Sequence, residues 1–195
     1  MTESLRIVIA EDEQELLIDL EETLHEFGHQ VVAKAQNGRE LVAHCQQTQP
    51  DLVITDIKMP DMDGLEAAAE ICRERAVPFV ILSAYHDPEF VERALKQQVL
   101  AYLVKPLNDQ SLKTAIQLAM RRFQEFQALQ QQSADLRQAL EDRKIVERAK
   151  GILMTRAELS EPDAFRRLQL LSSQKNKKMI EIARTIVEAE EALKL

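Results

Sequence analysis

This chain of 195 residues has no tryptophan and only two cysteines, four glycines, six prolines, two tyrosines and six phenylalanines. Cys45 and Cys72 form no Cys-x-x-Cys pair and stand near no histidine cluster, which excludes a disulfide framework and a zinc site and leaves two buried thiols. No run of about 18 apolar residues occurs, and no basic stretch followed by an apolar one opens the chain. A membrane span and an export signal are therefore not expected, and a cytoplasmic protein is. Past Phe126 the only aromatic residue is Phe165, which excludes a row of rings on which successive bases could stack.

What is present is apolar matter and charge. Hydrophobic residues make up 45% of the chain, enough to bury a core and to exclude general disorder, and the length allows one or two domains. The formal charge of −8 is unevenly spread: residues 1–110 hold 9 basic and 21 acidic residues, whereas 111–195 hold 16 and 12. Between 143 and 184 the count is 11 basic to 5 acidic, a concentration of positive charge where a polyanion can dock. Five of the six prolines and three of the four glycines precede residue 107. Two modules with different partners are implied, the first rich in loops and the second helical.

In the first module, five short apolar runs, 5–10, 31–35, 52–55, 79–82 and 100–104, are rich in β-branched residues, as buried parallel strands are. Between them, 16–27, 41–45, 65–72 and 90–95 carry apolar residues at helical spacing. Such alternation predicts an α/β fold, a five-stranded, parallel, doubly wound sheet with right-handed crossovers. Gly28 fits the position just past a helix end, and Gly38 a turn before the next helix. Ligands of such sheets bind beyond the carboxyl ends of the strands. There the runs end in Glu11-Asp12, Asp56, Ser83 and Lys105-Pro106, so three carboxylates, a hydroxyl and an ammonium are expected on one edge. Carboxylates this close repel unless a cation sits among them, and a hard divalent ion on oxygen ligands points to Mg²⁺. Lys105 can then neutralise an anion, and Asp56 can attack phosphorus to give an acyl phosphate. Asp61 and Asp63 read as turn formers, because Leu65 and Cys72 occupy the fifth and twelfth positions of a would-be calcium loop.

Through Glu11-Asp12, the run Thr55-Asp56-Ile57-Lys58-Met59-Pro60-Asp61-Met62-Asp63-Gly64, Ser83-Ala84, Tyr102 and Lys105-Pro106, residues 4–122 resemble the receiver domain of two-component response regulators. The resemblance implies a flavodoxin-like fold and an Asp56 phosphorylated by a sensor histidine kinase. It also implies Mg²⁺ on Glu11, Asp12, Asp56 and the Lys58 carbonyl, phosphoryl contacts from Ser83 and Lys105, an aromatic switch at Tyr102 and a cis Lys105-Pro106 peptide. Glu11 stands where the family often has Asp. No catalysis is implied beyond Mg²⁺-dependent self-phosphorylation and self-dephosphorylation at Asp56; the enzyme alternative is an aspartyl-phosphate phosphohydrolase.

From Leu107 to Glu161 there is no proline and one glycine, which predicts a continuous helix from near Asn108. At about 40 residues it would be ~60 Å long. Phe126, Leu129, Leu136 and Leu140, with Ser133 in the gap, trace an a/d seam over two heptads and predict a parallel homodimer through the linker helix. Three helices are expected beyond it. The first carries Ile145, Ala149, Ile152 and Leu153 on one stripe; the second is capped by 160–163 and carries Phe165, Leu168, Leu171 and Ser172. The third runs from Lys177 to Leu193 with Met179, Ile182, Ala183 and Ile186.

Through Glu147-Arg148-Ala149-Lys150-Gly151-Ile152-Leu153-Met154, the segment 161–165 and Ile182-Ala183-x-x-Ile186-Val187, residues 136–190 resemble the ANTAR output module, an RNA-binding antiterminator domain of three helices. They depart from it at Gln169, where the family commonly has Arg, and at Ser172-Ser173, where it has Ala-Met. The resemblance implies binding to hairpins in nascent transcripts and transcription antitermination. Arg148, Lys150, Arg166, Arg167, Lys175, Lys177 and Lys178 are the candidate phosphate contacts, Lys150 first among them. A DNA-binding transcriptional regulator is the alternative, disfavoured because the third helix bears Glu181, Glu188, Glu190 and Glu191, which a DNA groove repels. The domain plan expected is a receiver at 1–122, a helical linker at 123–142 and a three-helix all-α, ANTAR-like domain at 143–195.

Overall fold

Short, mainly apolar runs rich in β-branched residues form β1 (Arg6–Ala10), β2 (Gln30–Ala35), β3 (Leu52–Asp56), β4 (Phe79–Ser83) and β5 (Val99–Val104). The structure, a computed structural model, describes residues 4–83 and 99–192. The helix expected over 90–95, Ala84 and Leu193 lie outside them. All the strands pair in parallel, in the order β2-β1-β3-β4-β5, so the predicted doubly wound sheet is present. Asp56 and Ser83 are the last residues of β3 and β4, as expected. Asp56 pairs with Leu82, and Ser83 with Val104, so the ladder itself holds both backbones.

Strand side chains alternate between two faces. Ile7, Ile9, Ile54 and Leu82 pack with helix α1 (Gln14–Glu26) and the first turns of α4 (Asp109–Arg156). Val8, Ala10, Val53 and Phe79 pack with α2 (Gly38–Thr48) and α3 (Gly64–Glu74). Burying each Ile or Leu stabilises the fold by roughly 1.5–3 kcal/mol.

Local chemistry fixes where the helices begin. Asn37 caps α2 by accepting from Glu40 N at 2.9 Å, so Gly38 is the first helical residue rather than a turn residue. Asp63 is likewise more than a turn former: it caps α3 by accepting from Glu66 N at 2.7 Å, while Glu66 accepts from Asp63 N. Asp61 does sit in the left-handed region, at φ 66°. Gly28 follows α1 at φ 84°, where a side chain is strained.

The chain divides into two units between Gln127 and Ala128, inside α4. That helix is continuous over 48 residues, so the linker and the first output helix are one element. In the second unit, α5 (Glu161–Lys175) and α6 (Met179–Ala192) enclose a small core of Ala149, Leu168, Ile182, Ala183 and Val187. Ala164 is buried and Phe165 is exposed, which corrects the expected stripe by one position. Ser160 caps α5 as expected. Helix α6 starts two residues later than expected, because Asn176 ends α5 in the left-handed region and Ser172 Oγ donates to the Lys177 carbonyl at 2.5 Å. No helix among the described residues is long and apolar enough to cross a membrane.

Candidate functional site

The strand order reverses between β1 and β3, the position where open α/β sheets hold their ligands. Glu11 follows β1, Asp56 ends β3, Ser83 ends β4 and Lys105 follows β5, all on one sheet edge. Glu11, Asp12 and Asp56 each direct a carboxylate oxygen into a cluster whose atoms lie within 4.8 Å of one another. Asp12 is exposed, whereas Glu11 and Asp56 are buried. Lys105 Nζ lies between the two buried acids, donating to Asp56 Oδ2 at 2.6 Å and to Glu11 Oε2 at 2.7 Å. Lys105 N donates to the Ser83 carbonyl at 2.8 Å, which ties the serine and the lysine through the backbone. The Lys105-Pro106 peptide is cis, as the resemblance implies.

Burial pushes the Glu11 carboxyl above its ordinary range; Asp56 and Asp12 add to that, and hydrogen bonding and attraction from Lys105 oppose it. Burial pulls Lys105 down, but its bonds to Asp56 and Glu11 outweigh this and leave it raised. Among the described residues, Glu11 Oε1 is the one buried side-chain polar atom without a hydrogen-bond partner. Three carboxylates against one ammonium leave two negative charges, and with the orphaned oxygen this donor set fits a hard divalent cation. A cavity of about 510 Å³, walled by Leu16, Leu20, Leu82 and Leu112, opens beside Glu11 and Lys105.

Three supports went unread in the sequence. Ile57 N donates to Asp56 Oδ1 at 2.5 Å and orients the carboxylate. Buried Thr55 donates to the Asp56 carbonyl at 2.9 Å. Gly64 lies so close to that carbonyl that a Cβ would overlap the oxygen. Only the Thr-Asp-x₇-Gly spacing hints at the last, and nothing local at the first two. Tyr102 pairs with Ile81 across the ladder and rests, half-buried, against Ile57, Leu65 and Ile81. Lys58 is exposed beyond β3.

In the second unit, Arg166, Arg167, Lys175, Lys177 and Lys178 are exposed on α5 and the turn after it. Arg148 is exposed too and meets Glu191 at 2.7 Å. Lys150, the first of the candidate phosphate contacts, is not open to solvent as the others are. Its side chain is only 10% exposed and bonds Glu161 at 2.8 Å and Glu147 at 2.9 Å. The hydrogen bonds it donates, to Glu161 first and Glu147 next, raise its pKa. The start of α5 covers this side of α4, a fact that the periodicity of α4 alone does not contain.

Compared with known proteins, residues 7–117 match the response regulator receiver domain and residues 134–187 the ANTAR domain. The transcriptional regulatory protein PdtaR of Mycobacterium tuberculosis is 44% identical over 183 residues, 94% of this chain and 89% of that one. A solved DNA-binding response regulator of the LuxR family from Staphylococcus aureus superposes with a TM-score of 0.56 at 29% identity, over 58% of this chain and 96% of that one. The signal receiver domain of the response regulator NarL from M. tuberculosis gives 0.56 at 26% identity, over 59% of this chain and 94% of that one.

Proposed function

The chain is a response regulator with a receiver domain and an ANTAR domain, and from that premise we propose that a sensor histidine kinase phosphorylates Asp56 and that the protein then regulates transcription by binding RNA hairpins in nascent transcripts and causing antitermination. In this reading residues 1–122 receive the phosphoryl group, 123–142 pair two chains and 143–195 hold the RNA. The observation that carries it is the Asp56 carboxylate, oriented by Ile57 N and bonded to Lys105 inside an acidic cluster. Asp56 attacks phosphorus, the bond to the donor's imidazole nitrogen breaks, and Lys105 leaves Glu11 to follow the new phosphoryl oxygens, which Ser83 also binds. Glu11, Asp12, Asp56 and the Lys58 carbonyl hold Mg²⁺, which when bound neutralises charge developing on the transferred group. Self-dephosphorylation at the same site resets the switch. Tyr102 follows Ser83 inward from its half-buried position and alters association through the seam of α4.

For the output, the exposed cations Arg148, Arg166, Arg167, Lys175, Lys177 and Lys178 contact phosphates. Lys150, enclosed by Glu147 and Glu161, pins α5 to α4 instead of touching RNA. Incubation with a small phosphodonor and Mg²⁺ is expected to add one phosphoryl group, and Asp56→Asn to abolish it; equal labelling of that variant sinks the assignment. Multiple turnover on phosphorylated metabolites would indicate the phosphohydrolase instead. Selection from total cellular RNA and, separately, from genomic DNA distinguishes the outputs: recovery of duplex DNA sites and no hairpins refutes the RNA reading.

A further inference from the structure

Gly151 lies in the interior of α4, fully on the exposed side, and a Cβ built on it meets nothing within 4 Å. Glycine weakens a helix interior relative to alanine, and among the described residues no turn, positive φ or internal packing asks for it here. The residue does have one effect: it lets a partner's backbone come closer to the helix than any side chain would. Lys144, Arg148, Gly151 and Thr155 are spaced four, three and four residues apart, so they share one stripe of the helix, and all four are exposed. Between Lys144 and Thr155 the stripe holds no acidic residue; Glu141, three residues before Lys144, continues it towards the N-terminus, and Glu158 lies just past the helix end. The carboxylates that meet its cations, Glu141 on Lys144 and Glu191 on Arg148, form pairs whose side chains are all more than half exposed, and such pairs exchange readily for another anion. Glu147, on the flank, is held by Lys150.

We propose that this stripe is where the sugar-phosphate backbone of the RNA lies against α4, with Lys144 and Arg148 on phosphates, Thr155 beside them and Gly151 at the point of closest approach. This rests on the RNA reading above and specifies its contact surface. A second copy of the chain fits less well. Continued past Leu140, the heptad positions of the seam fall on Arg143, Glu147 and Lys150, all charged, so the apolar reason for two helices to pair ends before the stripe begins. Two copies meeting on the stripe would also oppose cation to cation, whereas 11 basic and 5 acidic residues between 143 and 184 attract a polyanion.

The test uses the full phosphorylated chain and a pool of RNA hairpins with a constant stem and randomised loop, from which the retained hairpins are titrated against variants. Gly151→Ala is expected to melt no lower than the parent chain and to bind the retained hairpins at least tenfold more weakly. Arg148→Ala is expected to reduce the slope of log affinity against log salt by about one. Unchanged affinity in Gly151→Ala, with the parent chain binding normally, overturns this inference and leaves the RNA reading standing. A lower melting temperature for Gly151→Ala would mean that the fold itself needs the glycine, and a changed mass in solution would mean that a second copy covers the stripe; either result overturns the proposal. If the parent chain retains no hairpins, the RNA reading fails and this inference fails with it.

Discussion

Glu11 stands above its ordinary value of 4.5 because burial disfavours its charge and two neighbouring carboxylates repel it. A cation binds only the ionised form, so proton and metal compete at this residue. Mg²⁺ affinity is expected to fall as pH drops through the raised Glu11 pKa, starting at a pH where a free glutamate is still charged. Glu11→Gln is expected to bind weakly at every pH and to lose that acid-side dependence, as titration calorimetry at a series of pH values would show. Without the cation the sign reverses for the fold: the raised pKa of Glu11 costs stability at high pH, and the cost shrinks as pH falls from the raised value to the ordinary 4.5. Lys105 behaves oppositely, since a raised lysine pKa means stability fully present below 10.5 and lost as pH climbs through the folded value. Gly64→Ala tests a different support. Its Cβ would collide with the Asp56 carbonyl oxygen, which is backbone and cannot turn aside. A loss of about 1–3 kcal/mol in thermal unfolding, with slower phosphorylation, is expected; an unchanged melt would show that the β3–α3 junction yields freely.

At the scale of elements, α4 passes through three environments. Leu112, Ile116 and Ala119 are buried in the first unit, and Ala149 in the second. Between them Leu129, Leu136 and Leu140 are 66%, 67% and 59% exposed. Leucines so placed on one seam are costly in water, and in the proposed dimer a second copy covers them. Counting about 100° per residue, the seam and the Ile145–Ala149–Ile152 stripe lie on opposite faces of the helix, so pairing does not compete with the three-helix core. Leu136→Lys with Leu140→Lys is expected to turn a dimer into a monomer by mass measurement and to leave Asp56 labelling intact. A monomer in the parent chain, with and without phosphodonor, excludes the seam as a dimeriser.

At the scale of the whole molecule, the two units have separate cores and separate chemistry. Leu168 is fully buried in a core of few residues, and truncation there leaves a cavity that neighbours cannot fill. Leu168→Ala is expected to cost about 2–5 kcal/mol in the second unit. Hairpin binding should be lost while labelling of Asp56 by a phosphodonor continues. Loss of labelling as well would mean that the two units unfold as one.

Local sequence was enough for the five strands, the long helix, the Ser160 cap and the residues Glu11, Asp12, Asp56 and Lys105, because composition, helical period and polar strand ends are properties of a few adjacent residues. Which atoms meet was decided by the tertiary structure. Lys105 bonds partners 94 and 49 residues away in the chain, brought together by parallel crossovers and the reversal of strand order. Lys150 looked like an open contact because nothing in the period of α4 shows which side α5 will cover. Phe165 and Ala164 exchanged places for the same reason, since a helical stripe fixes a face only to within a residue and the neighbouring helix selects it. Sequence spacing determines what is available to an edge or a face, and the packing of distant segments determines what each group touches.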